Sequence, residues 1–524
     1  MSPPLSRKTA RPAGRATLAL TAGGLIACSL PPFGPWYLAP LGLAVAAGTI
    51  AGRSARGRAV TGLLVGIGQF SVGCVWALEF TGFGYVALVG CESLFVAVAF
   101  ALVPPGRGRL IAFAGALTLA EWARDHWPFG GLPLGGVALG QVAGPLAGLA
   151  RVGGPLALLA AAAAAAAGVA AVGAAAWARL APGRRSAGRG ALAGLAAIGL
   201  VALASGLAGL APDGGPPRAV VIVAVIQGGG RRGVGSLDVP ASRVFAATWR
   251  ATSRVQRPVD LVAWPEDAVT LARPLTGSAE ADRLATLARR LDATVLAGVT
   301  TLVGPTRFRN EIAAWGPSGR IIGLLEKDHP VPFGEYVPLR SLLSRIASFT
   351  AVPRDVIVGA NDGELTTPAG PVAILNSFEA FFPDRARSGV RAGGELLVVA
   401  TNTASYATDV VPAAELAASR QQAIAEGRDL VQSATTGYSA VISSDGTVTR
   451  LSGLGTPDVL RATVALRTGA TLYERFGDLP VLVAAALALA LGWAVGRGAK
   501  SRLGPSALQT DTLGHAVAPS TRRC

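Results

Sequence analysis

The chain has 524 residues, of which 51% are hydrophobic and only 15% charged, a balance that excludes a protein built solely of ordinary soluble domains. Its formal net charge is +16, but much of the basic excess lies in short clusters between apolar runs, as in membrane-protein loops, and no nucleic-acid partner is expected. Of the four cysteines, Cys28, Cys74 and Cys91 lie in apolar runs and Cys524 is the last residue; this leaves neither a disulfide framework nor a metal-ligand spacing, and neither metal nor cofactor is expected.

The first 15 residues form a basic N-terminus with Arg7, Lys8, Arg11 and Arg15. Apolar windows of bilayer-crossing length, about 17–25 residues, follow near 16–32, 36–52, 59–79, 85–105, 108–123, 153–178 and 189–211, and a last one lies at 479–497. Basic residues recur in every second connection: Arg53, Arg56 and Arg58, then Arg107 and Arg109, then Arg179, Arg184, Arg185 and Arg189, then Arg497, Lys500 and Arg502. That alternation predicts about eight spans with both termini cytoplasmic. The expected organisation is a membrane domain over 16–211 with about seven spans, an extracytoplasmic domain over 212–478, a last span over 479–497 and a cytoplasmic tail over 498–524. The segment Leu25-Ile26-Ala27-Cys28 after basic residues also has the form of a lipoprotein signal. With seven further apolar windows downstream, a retained first span is the stronger reading.

Region 212–478 alternates strand-like with helical patterns. Near-continuous apolar runs at Ala219–Gln227, Asp260–Ala263, Thr294–Val299, Val372–Leu375 and Leu396–Ala400 read as strands buried on both faces. Helices are predicted over Ala279–Leu291 and Ala413–Glu426, and hairpins at Pro317-Ser318-Gly319 and Ser444-Asp445-Gly446. The fold class is α/β.

Lys8, Lys327 and Lys500 are the only lysines, so Lys327 is the one lysine of this domain, in a chain that elsewhere takes arginine for its positive charge. A compact ammonium is thereby singled out where a guanidinium fork will not serve. It sits in Glu326-Lys327-Asp328-His329-Pro330-Val331-Pro332-Phe333-Gly334-Glu335-Tyr336-Val337-Pro338. Upstream a strand ends in Trp264-Pro265-Glu266, and downstream another ends in Asn376-Ser377-Phe378-Glu379. Strand ends are where α/β proteins site their chemistry. Glu266 is thus a candidate general base, Ser377 a candidate nucleophile and Lys327 a candidate oxyanion stabiliser.

Those three elements resemble the nitrilase (carbon–nitrogen hydrolase) superfamily, and the long element around Lys327 resembles the apolipoprotein N-acyltransferase family. Leu30-Pro31-Pro32-Phe33-Gly34, Glu121-Trp122-Ala123-Arg124 and Thr471-x-Tyr473 with Gly477-Asp478 extend the resemblance over nearly the whole chain. It implies a four-layer α-β-β-α sandwich inserted in a polytopic helical membrane protein, in the bacterial cell membrane with the catalytic domain on the outer face. It also implies a Glu-Lys-Cys triad. Glu266 matches the base, Lys327 the oxyanion lysine, Glu335 a supporting carboxylate, and Glu379 the acid two positions after the nucleophile. Ser377 stands where the family places cysteine. The implied reaction takes an acyl chain from a membrane phospholipid and gives it to the α-amino group of a lipoprotein's diacylglyceryl-cysteine, the last step of lipoprotein maturation.

Departures gather near the same site. Region 212–478 has no cysteine to substitute for the missing one. Thr401-Asn402-Thr403-Ala404-Ser405 replaces Thr-Asn-Asp-x-Trp, and Gln422-Ala423-Ile424-Ala425 replaces Arg-Ala-x-Glu. Leu134 stands in Gly131-Leu132-Pro133-Leu134 where tryptophan is common. A thiol has a pKa of about 8.5 and is intrinsically nucleophilic, whereas a serine hydroxyl depends on its base. His329, the domain's one histidine, offers a second candidate base. Three functional readings follow: an acyltransferase working through an ester at Ser377; a catalytically impaired scaffold that binds lipoproteins or a partner enzyme at the membrane; and a nitrilase-type amidase on another substrate, against which the attached spans and the element around Lys327 both weigh.

Overall fold

The structure is a computed structural model that describes residues 12–501, apart from 107, 181–186, 346–347 and 350–351. The readings made on residues 1–11 and 502–524 lie outside the described residues. Helices occupy the apolar windows: Pro12–Cys28, Leu38–Thr49, Ala55–Gly73, Gly82–Leu102, Arg109–His126, Ala150–Leu180, Ala187–Ala208 and Leu479–Ser501. Among the described residues four segments, Gly82–Leu102, Ala147–Leu180, Gly188–Ala208 and Leu479–Arg497, are long and apolar enough to cross a membrane, while Ala13–Cys28 and Leu38–Thr49 are shorter apolar helices. The protein is thus a membrane protein with an α/β domain between its last two apolar helices. Where Ala150–Leu180 breaks its helical geometry, Gly154 has φ +65° and a Cβ there would stand 2.5 Å from the Tyr473 ring. Only glycine lets the helix and the domain's C-terminal segment meet so closely.

Among its described residues the α/β domain has fourteen strands. These are β1 (Ala219–Gln227), β2 (Leu261–Ala263), β3 (Val269–Leu271), β4 (Thr294–Val303), β5 (Arg307–Trp315), β6 (Ile321–Glu326), β7 (Asp355–Val356), β8 (Glu364–Thr367), β9 (Gly370–Asn376), β10 (Leu396–Thr401), β11 (Leu430–Ala434), β12 (Ala440–Ile442), β13 (Val448–Leu451) and β14 (Asp458–Leu466). One sheet runs β14-β1-β2-β4-β5-β6, with β3 on β4 and β7 on β5; the other runs β13-β12-β11-β10-β9-β8. Parallel pairing is central in both, β1-β2-β4 and β9-β10-β11, which is why these strands read as continuous apolar runs. The β5/β6 and β12/β13 hairpins close at the two predicted turns.

Side chains of a strand alternate between faces, and here both faces are buried. Val223, Val225, Leu261 and Leu296 meet Ile374, Leu396 and Val398 between the sheets. The alternate residues Ala224, Ile226, Val262 and Val295 pack against Phe245, Leu284 and Leu287 of helices Ala241–Thr252 and Ala279–Leu291. On the other side Leu375, Leu397 and Val399 pack against Ala386, Val390 and Ala423 of helices Pro383–Arg391 and Val410–Glu426. The layers are therefore helix, sheet, sheet, helix.

Local sequence explains the helix limits. Ser278 caps Ala279–Leu291, its side chain accepting from the Ala281 N–H at 3.1 Å, and acids stand in its first turn with arginines in its last. Helix Val410–Glu426 begins three residues before the predicted Ala413, because Pro412 falls in the first turn, where no N–H donor is required. Gly427, with φ +63°, ends it. The opposite face of this helix joins the membrane helices: Val411, Ala414, Ala417 and Ala418, with Phe378 and Phe381, share one apolar core with Leu139, Val142, Leu146 and Leu149. The second sheet's helix layer is thus also the seat of the domain on the membrane helices.

Candidate active site

Lys327 follows β6 directly and is 1% exposed. Its N–H donates to the Asn310 carbonyl on β5 at 2.8 Å. Its Nζ donates to Glu266 Oε1 at 2.9 Å and to Glu335 Oε1 at 3.0 Å. Glu266 reaches this point because Gly298 on β4 lets the strands approach: a Cβ at 298 would stand 2.4 Å from Glu266 Cα. Glu335 folds back on its own loop, Oε2 accepting from the Val331 N–H at 2.7 Å. Asn310 Nδ2 donates to Glu266 Oε1 and to Glu335 Oε1, each at 2.8 Å, and its Oδ1 accepts from Asn376 Nδ2 at 2.9 Å. One ammonium and one amide thus hold two carboxylates at a single point.

Ser377 opens the turn Ser377–Phe381 that follows β9. Its φ is +56°, a left-handed conformation disfavoured for a residue with a Cβ and held only by its surroundings. Glu379 supplies the hold. Its Oε2 accepts from the Asn376 N–H at 2.8 Å, half of a reciprocal cap with the Asn376 side chain. Its Oε1 accepts from the Asp328 N–H at 2.6 Å and the His329 N–H at 3.1 Å, and Arg385 Nε lies 3.5 Å from Oε2. Glu379 is fully buried. It ties the turn carrying Ser377 to the loop carrying Lys327.

After β10, Asn402 donates its backbone N–H to Glu266 Oε2 at 3.1 Å and its Nδ2 to Asp267 Oδ2 at 3.0 Å. The segment that departs from the family pattern therefore still fixes the Glu266 carboxylate. Among the described residues the Ser377 hydroxyl has one hydrogen-bond partner, Thr401 Oγ1 at 3.2 Å. Thr401 in turn donates to Glu415 Oε1 at 2.7 Å. His329 has no part in this: its ring lies against Phe382, centroids 4.5 Å apart, and its side chain is near Asp328 and Asp384.

The electrostatics follow from burial. Loss of solvent pushes the Glu266 carboxyl up to about 7; Lys327 opposes this, while the Asp267 and Glu335 carboxylates add to it. Burial pulls the Lys327 ammonium down, but Glu266 and Glu335 outweigh it and hold the pKa above the ordinary lysine value. Glu415 is pushed up to about 8 by burial, against its bond from Thr401 and with repulsion from Glu266. The set contains a fixed buried cation, two carboxyls that exchange protons near neutral pH, and a hydroxyl on a strained turn.

All of these groups border a cavity of about 930 Å³. Glu266, Lys327, Ser377, Asn402 and Glu415 line it, and so do Trp76, Leu132 and Leu134 from the membrane portion. The cavity therefore lies between the α/β domain and the membrane helices. The five residues singled out from sequence, Glu266, Lys327, Glu335, Ser377 and Glu379, all fall within this network. Sequence reasoning did not reach Asn310 or Glu415, and met Thr401 only as the first residue of the departing segment, with no role. A mid-strand asparagine in β5 and a lone acid in the alanine-rich stretch Pro412-Ala413-Ala414-Glu415-Leu416-Ala417 were the available signals.

Comparison with known proteins agrees in both parts of the chain. Residues 22–169 match the family model described as apolipoprotein N-acyltransferase N-terminal domain, and residues 223–473 match the carbon–nitrogen hydrolase model. The chain is 30% identical over 530 residues to the apolipoprotein N-acyltransferase of Rhodopseudomonas palustris, covering 91% of this chain and 94% of the relative. It is 30% identical over 518 residues to that of Azotobacter vinelandii, covering 93% and 96%. It is 33% identical over 290 residues to that of Geobacter metallireducens, covering 53% of this chain and 54% of the relative. Among solved structures, the Saccharomyces cerevisiae nitrilase-superfamily protein Nit3 aligns with TM-score 0.37 and 16% identity over 48% of this chain and 91% of its own. The end-to-end likeness to the bacterial relatives, on a carbon–nitrogen hydrolase domain, shows that this chain is an acyltransferase of the apolipoprotein N-acyltransferase family.

Proposed function

We propose that the protein N-acylates lipoproteins, carrying an acyl chain from a membrane phospholipid on Ser377 and delivering it to the α-amino group of the acceptor's diacylglyceryl-cysteine. The observation that carries this reading is the shared cavity. Ser377, Lys327 and Glu266 line a single space that is walled on one side by Trp76, Leu132 and Leu134 of the membrane portion. A lipid tail and a polar reacting centre are served by the same space. Arg231, Arg243, Arg250 and Arg354 also border it, a cationic lining suited to a phosphate headgroup.

In the first half-reaction Ser377 Oγ bonds to the ester carbonyl carbon of the phospholipid as its proton passes to the side of its hydrogen-bond partner Thr401. Lys327 stabilises the oxyanion, an effect worth about 10²–10³ in rate for one well-placed donor. The bond between the acyl carbon and the glycerol oxygen then breaks, and Glu266 in its acid form protonates the departing lysophospholipid oxygen. In the second half-reaction the acceptor amine bonds to the ester carbon, gives a proton to Glu266 and displaces Ser377 Oγ, which takes back the proton it gave up in the first. Glu335 and Asn310 hold Lys327 and Glu266 in place, and Glu379 holds the serine turn.

The membrane arrangement that suits this chemistry has eight spans, both termini cytoplasmic, and residues 212–478 outside. Helices in all eight apolar windows and the alternation of basic connections support it. The domain limits follow as 1–15, 16–211, 212–478, 479–497 and 498–524. Cysteine-labelling of the loops from either side tests the topology; a label at residue 260 accessible only from the cytoplasm sinks it.

One observation favours the scaffold reading: the Ser377 hydroxyl is bonded to Thr401 rather than to Glu266. Incubation of the purified protein with phospholipid and a diacylated lipopeptide decides between the two. The wild type yields the triacylated product and Ser377→Ala does not. Equal inactivity of both, with a gain in Ser377→Cys, establishes the impaired scaffold instead.

A further inference from the structure

Ser377, Thr401 and Glu415 form a continuous hydrogen-bonded path, 3.2 Å and then 2.7 Å, within a buried wall of the cavity. Its direction is set by proton count. A threonine hydroxyl has one proton, and Thr401 gives it to Glu415. Its lone pair is then what faces Ser377, so the serine is the donor in that pair. The serine proton is aimed away from the Glu266–Lys327 cluster and toward Glu415.

Glu415 has no evident structural need to be acidic. Among the described residues its side chain makes no ion pair, its one side-chain hydrogen bond comes from Thr401, and it is 2% exposed. A buried carboxylate without a cation is costly, so a neutral residue would serve packing better. Glu266 is not a hydrogen-bond partner of the Ser377 hydroxyl among the described residues; its Oε1 receives Lys327 and Asn310 and its Oε2 the Asn402 N–H.

We infer that Thr401 and Glu415 are positioning residues that relay the Ser377 proton, a need that is greater for a hydroxyl than for the more acidic thiol of the family's cysteine. The inference rests on Ser377 being the nucleophile. As the Ser377 Oγ–carbon bond forms, the serine proton passes to Thr401 Oγ1 and the threonine proton to Glu415. Glu266 meanwhile protonates the departing lysophospholipid oxygen. When the acceptor amine bonds to the ester carbon and the Oγ–carbon bond breaks, Glu415's proton returns through Thr401 to Oγ, and the amine's proton goes to Glu266. Both carboxyls and both hydroxyls end as they began. Burial raises Glu415 to about 8 and Glu266 to about 7, so the form with Glu415 ionised and Glu266 protonated is a minority one, and ester formation is expected to follow a bell-shaped pH profile with its top between those values.

The test is rapid-quench measurement of acyl-Ser377 by peptide mass spectrometry, using full-length protein in phospholipid proteoliposomes. Glu415→Gln and Thr401→Val are expected to slow ester formation by about 10²–10⁴-fold, the range of one proton-transfer catalyst, and Thr401→Ser to restore it. In a Ser377→Cys background the nucleophile is a thiol with a pKa of about 8.5, far more acidic than a hydroxyl and less dependent on a relay, and Glu415→Gln is expected to slow acylation by less than about tenfold. That background also shows whether the substituted site folds. Ester formation at the wild-type rate in Glu415→Gln overturns the relay while leaving Ser377 as nucleophile. Equal slowing of the serine and cysteine enzymes assigns Glu415 a structural role and likewise overturns it. No acyl group on Ser377 in the wild type overturns the nucleophile reading and the relay together.

Discussion

Replacing Lys327 by methionine keeps most of the side chain's length and removes its charge. The lysine is 1% exposed and meets Glu266 at 2.9 Å and Glu335 at 3.0 Å. Without it those carboxylates share only Asn310, and Asp267 adds its own charge nearby. Breaking a buried ion pair from one side costs about 3–5 kcal/mol. For a domain of this size that lowers Tm by roughly 6–20 °C, at about 2–4 °C per kcal/mol. The sign with pH is fixed. In the variant the folded-state carboxyls titrate above their unfolded values, so the fold binds protons more tightly than the unfolded chain and loses stability as pH rises. Burial already lifts the wild-type Glu266 carboxyl to about 7, so both proteins lose stability up to that pH and the variant goes on losing it above; the deficit against wild type therefore grows with pH and is larger at pH 8 than at pH 5. Thermal unfolding in detergent, followed by tryptophan fluorescence at both pH values, is the assay. A deficit below about 1 kcal/mol, or one equal at the two pH values, refutes the reasoning. Lys327→Met with Glu335→Gln should recover part of the loss by removing one stranded charge.

Gly298→Ala should displace Glu266, because the new Cβ would stand 2.4 Å from its Cα; acyl transfer should fall at least about tenfold while the tryptophan spectrum of the folded protein is kept. Asn310→Leu strips two hydrogen bonds from the carboxylate pair and should cost about 2–4 kcal/mol in thermal unfolding, against well under 1 kcal/mol for an exposed asparagine. Glu379→Gln retains size but cannot accept at both oxygens from the Asn376, Asp328 and His329 N–H groups. It should lower the rate of ester formation more than the affinity for lipid; an effect on lipid binding alone would count against its place in the serine turn.

The sequence makes the layered α/β domain legible because its parallel strands are buried on both faces, so Ala219–Gln227 and Leu396–Thr401 read as uninterrupted apolar runs. Glu266, Lys327 and Ser377 could be picked out because each stands at the end of such a run, and a lone lysine among arginines carries its own signal. Asn310, Thr401 and Glu415 carry no comparable mark. Asn310 meets Lys327 through the register of β5 on β6, which is a property of the folded sheet. Thr401 closes an apolar strand, where threonine is ordinary. Glu415 becomes notable only when helix Val410–Glu426 is seen wedged between the second sheet and the membrane helices. Hydrophobic periodicity places elements; it does not report which side chains cross between them.

The central claim is that Ser377 carries the acyl chain. Full-length protein in phospholipid proteoliposomes, quenched before acceptor is added and analysed by peptide mass spectrometry, tests it most directly. An acyl group is expected on the peptide bearing Ser377, stable to neutral hydroxylamine as an oxygen ester rather than a thioester, absent from Ser377→Ala, and discharged when a diacylated lipopeptide is supplied. Transfer of the acyl chain to lipopeptide by Ser377→Ala, or turnover by the wild type with no acyl group ever found on Ser377, contradicts it.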